Sequence, residues 1–158
     1  SRITGINSMN MLCERAAKND LKVFLYGSKP ETVAAAAKKL EEKYEGINIV
    51  GYIDGYQQDN DKVVEAINKS GAEILFVAMG SPKQEYWIRD NMDKVCPFAF
   101  QGVGGSFDVI SGNIKRAPKR MQKLGLEWLY RLIKEPRRIG RQIKLLSFLY
   151  LAVFYTDK

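Results

Sequence analysis

The 158 residues contain no histidine and only two cysteines, Cys13 and Cys96. The first absence removes the usual acid–base side chain near neutral pH, and any Ser-His-Asp triad with it. The cysteines stand far apart with no C-x-x-C or C-x-x-H spacing, so a zinc site is excluded. A reducing cytosol fits this usage best. No apolar run reaches the roughly 18 residues of a membrane-spanning helix. Acidic residues are scarce in one region only. Positions 115–144 hold eleven Lys or Arg against Glu127 and Glu135, a net of +9 in a chain whose total is +7. The chain therefore reads as two parts, a near-neutral body at 1–114 and a basic appendage at 115–158.

The body shows one pattern repeated. Short continuous apolar runs at 23–26, 47–52, 74–79 and 97–100 read as strands, and each is followed by glycine or a polar turn. Helical stretches alternate with them. Ile6, Met9, Cys13 and Ala16 share one helical face over 6–19, with Asn7 or Ser8 as its cap. Val33, Ala36, Ala37, Leu40 and Tyr44 share another, with Pro30 in the first turn and Gly46 at the end. Val63 and Ile67 face inward over 60–70, with Gly71 after them. A fourth helix opens at Ser81-Pro82 with Ile88, Met92 and Val95 on one side. Continuous apolar strands are those buried on both faces. The fold class is α/β, a Rossmann-like parallel sheet flanked by helices, with a C-terminal basic helical appendage.

Ligands of such sheets bind beyond the carboxyl ends of the strands. The stretch 98–108 is the richest of those ends, because Gly102, Gly104 and Gly105 open into Ser106-Phe107-Asp108. It reads as a phosphate cradle at a helix start, or as a tight turn with an N-terminal cap. Gln84 stands three after Ser81, the spacing of a capping box, and is also placed for ligand contact. Asp108 suits a helix N-terminus through the dipole alone. Tyr56 is able to stack on a base or to cover the sheet edge. Asp59-Asn60-Asp61 has the Asp-x-Asp pattern of metal-dependent sugar transferases but begins a helix, where acids belong. It is read as a helix start, and neither a metal nor a cofactor is expected.

In the appendage, 117–134 reads as one helix after Pro118, with Met121, Leu124, Trp128 and Leu132 as its apolar stripe. Pro136 opens a second helix carrying Arg137, Arg141 and Lys144 on one side. The apolar run 145–155 follows. Basic residues beside a short apolar and aromatic stretch suit a membrane surface. Packing on another subunit ranks second, leaving a homo-oligomer open. Nucleic acid ranks a distant third, because the apolar run has no use on a phosphate backbone.

Arg2-Ile3-Thr4-Gly5, Phe24-Leu25-Tyr26-Gly27, Gly55-Tyr56, Gly80 to Glu85, Gly102 to Asp108, Arg116-Ala117-Pro118 and Gly125 to Leu132, in this order, resemble the WecG/TagA/CpsF glycosyltransferases. The resemblance runs along the whole chain. It implies an inverting, metal-independent transferase using a UDP-N-acetylhexosamine. In the teichoic-acid branch the donor is UDP-N-acetylmannosamine. The acceptor is N-acetylglucosamine on undecaprenyl diphosphate, a polyprenyl-diphosphate-linked sugar at the cytoplasmic membrane face. Carried over by residue, Arg2, Tyr56, Gln84, Gly104, Gly105 and Asp108 bind the donor. Tyr56 stacks on uracil, Asp108 bonds the ribose, and Gln84 lies beside the sugar or diphosphate. Arg131, Arg138 and Arg141 meet the lipid diphosphate. The resemblance also implies a further segment before Arg2 that supplies an aspartate as general base. The chain is therefore expected to be a fragment or truncated product, inactive or weakly active alone. The alternative is a catalytically inactive nucleotide-binding or membrane-associated module.

Removing residues 136–158 is expected to abolish co-sedimentation with anionic lipid vesicles. Undiminished binding by the shortened chain ends the membrane reading of the appendage.

Overall fold

The structure, a computed structural model, describes residues 4–124 and 126–134. The chain divides into two compact units, Ser1–Ile114 and Lys115–Lys158. The first unit runs α1 (Gly5–Lys18), β1 (Lys22–Gly27), α2 (Pro30–Lys43), β2 (Asn48–Ile53), α3 (Asn60–Ser70), β3 (Ile74–Ala78), α4 (Lys83–Asn91), β4 (Ala99–Gly102) and α5 (Ser106–Ile110). All strand pairs are parallel, in the order β2-β1-β3-β4. This is the Rossmann-like sheet that the continuous apolar runs imply.

The alternation of side chains along β1 and β3 explains both the runs and the layers. Val23 and Leu25 of β1, with Ile74, Phe76 and Ala78 of β3, face one core, which also takes Met9, Cys13 and Ala16 of α1 and Val33, Ala36, Ala37 and Leu40 of α2. Phe24, Tyr26, Leu75 and Val77 face the other, against Val63 and Ile67 of α3. From Val23 to Tyr26 in β1 and from Ile74 to Ala78 in β3 every position is apolar, because each meets a helix layer. Burial pushes the Cys13 thiol up to about 12, whereas Cys96 is exposed.

Several expectations shift by a few residues. Thr4, not Asn7 or Ser8, holds the N-cap position of α1, because the helix already begins at Gly5. α2 ends at Lys43, and Tyr44 turns extended before Gly46 is reached. The fourth strand begins at Ala99, not Pro97, since the parallel register sets Ala99 against Ile74. Phe98 points outward, 69% exposed. α4 stops at Asn91, which leaves Met92 exposed and carries Val95 into the core from beyond the helix. Its buried residues are polar, Gln84 and Asn91. In α3, Asp59 is the N-cap and its carboxylate accepts the Lys62 N–H at 3.2 Å. The capping contact accounts for the first acid of the Asp-x-Asp triplet.

In the second unit the single helix expected over 117–134 is two, α6 (Lys119–Lys123) and α7 (Glu127–Lys134). Gly125 stands in the sequence between them, and glycine is among the weakest helix formers. Leu124 of the expected apolar stripe is exposed. Arg116 Nε meets Glu127 Oε1 at 3.3 Å, and Gln122 Nε2 donates to the Ala117 carbonyl at 2.6 Å. The helix expected after Pro136 lies outside the described residues.

Gly27 ends β1 at φ +115°, and a Cβ there would stand 2.6 Å from the Ala78 backbone. Gly27→Ala is therefore expected to destabilise the chain by about 2–4 kcal/mol, from positive-φ strain and overpacking together. Urea unfolding would show this as a lower midpoint at unchanged slope.

Candidate active site at the carboxyl edge of the sheet

The chain leaves β1 toward β2 on one side and returns to β3 on the other, so strand order reverses between β1 and β3. Loops diverge at such a point and leave a crevice beyond the carboxyl ends. Backbone hydrogen bonds lace this rim together. The Gly55 N–H donates to the Ser28 carbonyl at 2.8 Å, and the Ser28 N–H donates to the Ala78 carbonyl at 2.9 Å. On the far side the Val103 N–H donates to the Val77 carbonyl at 2.8 Å. Ser28 sits in the middle of this lacing at φ +64°. A non-glycine residue held there is costly and persists only when its surroundings fix it.

Tyr56 follows β2. Its N–H donates to Asp54 Oδ1 at 2.8 Å, which folds the turn, and its ring stands 66% exposed at the rim. Burial first, and then the nearby Asp54 carboxylate, raise the Tyr26 phenol above its ordinary range. Asp108 lies in α5. Its carbonyl accepts from the Ile114 N–H at 2.9 Å and from the Ser111 hydroxyl at 3.2 Å, which closes the chain after the helix. Asn113 Nδ2 then donates to Thr32 Oγ1 in the first turn of α2 at 3.0 Å. That bond draws the segment following β4 back toward the end of β1.

Gln84 forms no capping box. Pro82 holds the N-cap position of α4 without a side-chain bond, and Ser81–Pro82 is a cis peptide. Gln84 is instead 6% exposed and reaches across to the glycine turn, where its Oε1 accepts the Gly104 N–H at 2.9 Å. Its Nε2 donates to Glu85 Oε1 at 2.9 Å. A Cβ on Gly102 would come within 2.6 Å of that Nε2, so glycine is required for the amide to seat. The N–H groups of Val103, Gly104 and Ser106 all donate to protein acceptors. The turn thus comes already braced from within, where the sequence alone left cradle and tight turn open.

The structure brings Tyr56, Gln84, Gly104, Gly105 and Asp108 to the carboxyl side of one sheet, and Arg131 falls within α7 of the second unit. Arg2, Arg138 and Arg141 lie outside the described residues. Two residues of α4, Trp87 and Asn91, escaped the sequence reading, and they hold Asn60 of the Asp-x-Asp triplet. Trp87 Nε1 donates to Asn60 Oδ1 at 2.7 Å, Asn60 Nδ2 to Asn91 Oδ1 at 2.8 Å, and Asn91 Nδ2 to the Trp87 carbonyl at 2.9 Å. Gln84, Trp87 and Asn91 stand at i, i+3 and i+7, the spacing of one helical face. A search for helical stripes that admitted polar residues would have found them.

Replacing Gly102 by Ala is expected to expel the Gln84 amide and cost about 1–3 kcal/mol, the penalty of buried polar groups left unpaired. The same change in a Gln84→Ala background is expected to cost far less, because its collision partner is gone. Equal costs in the two backgrounds, by denaturant unfolding, would refute the brace.

Among the described residues no helix is long and apolar enough to cross a membrane. The model of the glycosyl transferase WecG/TagA/CpsF family matches residues 1–157. A doubly covered parallel sheet, a braced glycine turn and a match along nearly its entire length lead to one assignment: the chain belongs to the WecG/TagA/CpsF family of glycosyltransferases.

Proposed function

We propose that the carboxyl rim of this sheet binds a UDP-N-acetylhexosamine for transfer to a polyprenyl-diphosphate-linked sugar. The donor in this reading is UDP-N-acetylmannosamine and the acceptor is N-acetylglucosamine on undecaprenyl diphosphate. The acceptor hydroxyl oxygen attacks the anomeric carbon, the bond from that carbon to the diphosphate breaks, and UDP leaves with the electron pair. The hydroxyl proton passes to a general base, and attack opposite the leaving group inverts the anomeric centre.

The observation that carries the reading is the pairing of an exposed aromatic ring, Tyr56, with an acid that follows a glycine turn, Asp108, on one rim of a family sheet. Tyr56 stacks on the uracil and Asp108 accepts from the ribose hydroxyls. Gly104 and Gly105 let the diphosphate approach the backbone. Gln84 has both amide ends engaged with protein groups, so its contribution passes through the position of Gly104. Arg2 adds a cation on the donor side. Arg131, Arg138 and Arg141 take the lipid diphosphate with guanidinium forks, which match phosphate oxygens in geometry and charge. An appendage this basic suits the cytoplasmic face of a membrane, where anionic headgroups and a lipid-held acceptor both lie.

Calorimetric titration with UDP tests the donor site. Tyr56→Ala and Asp108→Asn are each expected to weaken binding about tenfold, the scale of one stacking or charge-assisted contact. UDP-N-acetylmannosamine should compete better than UDP-N-acetylglucosamine, and equal competition would reject the donor assignment. Replacing Arg131, Arg138 and Arg141 together by Ala should reduce retention on vesicles carrying undecaprenyl diphosphate. Unchanged retention would remove those residues from the acceptor site.

A further inference from the structure

α4 bonds both to Asn60 after β2 and to Gly104 after β4, and the buried residues of its inner face, Gln84 and Asn91, are polar where an ordinary sheet-covering helix would carry leucine or valine. Gln84 at one end of that face holds Gly104 of the glycine turn at 2.9 Å. Trp87 and Asn91, further along the same face, hold Asn60, which stands four residues after Tyr56. Both amide ends of Asn60 and of Asn91 are engaged inside this ring of bonds. The Trp87 ring lies 4.8 Å from the Tyr26 ring, tilted by 57°, which fixes the direction of its N–H. Asn91 is buried. A closed set of donors and acceptors in a low-dielectric place fixes one arrangement, whereas an apolar face tolerates sliding.

We propose that α4 is a strut fixing the Tyr56 loop relative to the glycine turn, and that Trp87, Asn60 and Asn91 are positioning residues for the donor nucleotide. The proposal rests on the reading of the rim as a UDP-sugar site. None of the three residues touches the nucleotide. They set where the Tyr56 ring stands when Gly104 and Asp108 meet the rest of the ligand. Asn60, the central residue of the Asp-x-Asp triplet, thereby acquires a role that needs no metal.

Trp87→Phe tests the strut, because it keeps an aromatic ring against Tyr26 and removes only the N–H. The expected result is a melting temperature within a few degrees of the parent and UDP binding weakened about tenfold. Tyr56→Ala should then cost much less in the Trp87→Phe background than alone, since the ring it removes is already misplaced. Unchanged UDP affinity, or a Tyr56→Ala loss of equal size in both backgrounds, overturns the strut and leaves the nucleotide site standing. Asn60→Asp keeps the acceptor for Trp87 and removes the donor to Asn91. It should weaken UDP in the same direction, and it decides the matter if Trp87→Phe does not fold. A parent chain that fails to bind UDP rejects the nucleotide site itself. Amide exchange then decides the strut: Trp87→Phe should speed exchange at the Tyr56 and Gly104 amides, and unchanged protection there overturns it.

Discussion

Burial of β1 and β3 on both faces is the constraint from which the rest follows. Every residue of β3 is buried, and so is all of β1 after Lys22. A side chain with a polar task has no room along those strands, and such tasks fall to their ends. The carboxyl rim is where the chain can turn polar while still being held by the sheet. There the backbone bonds itself across from loop to loop, from Gly55 to Ser28 and from Ser28 to Ala78. Chemistry placed on such a rim inherits the rigidity of the core beneath it.

Two kinds of brace hold the rim, and they differ in how they use space. At Gly27 the backbone of one strand passes so close to the next that no side chain fits. At Gly102 the space left by the missing side chain is filled by another residue's amide, that of Gln84. The first brace is steric and admits no substitute. The second is an exchange between two residues, and its energy belongs to the pair. The glycine turn is thus shaped from α4 as much as from its own sequence.

The layers were legible in the sequence because they rest on periodicity. The stripes Ile6-Met9-Cys13-Ala16 and Val63-Ile67 point where their spacing says, and the apolar runs are strands of a parallel sheet. Boundaries were less legible, since pairing register and not propensity decides them. Phe98 has every mark of a strand residue, yet β4 begins one position later opposite Ile74. The polar face of α4 is passed over by any stripe search confined to apolar residues. Gln84 beside Ser81 fits a capping box, and only tertiary structure shows that its partner lies twenty positions away at Gly104. Asn60 likewise looked like part of an acidic triplet, while its partners sit on another helix. Local rules find local partners, and the polar contacts that shape this rim are long-range.

The strand order β2-β1-β3-β4 also bears on how the sheet is made. β1 and β2 pair first along the chain, β3 then adds to the free edge of β1, and β4 adds to the free edge of β3. Among these four described strands none has to be inserted between two that are already joined. The sheet can therefore grow outward in the order in which a ribosome delivers it, each new strand finding a template already in place. Among the described residues the glycine turn follows the last of these four strands and is made after the other three strand ends.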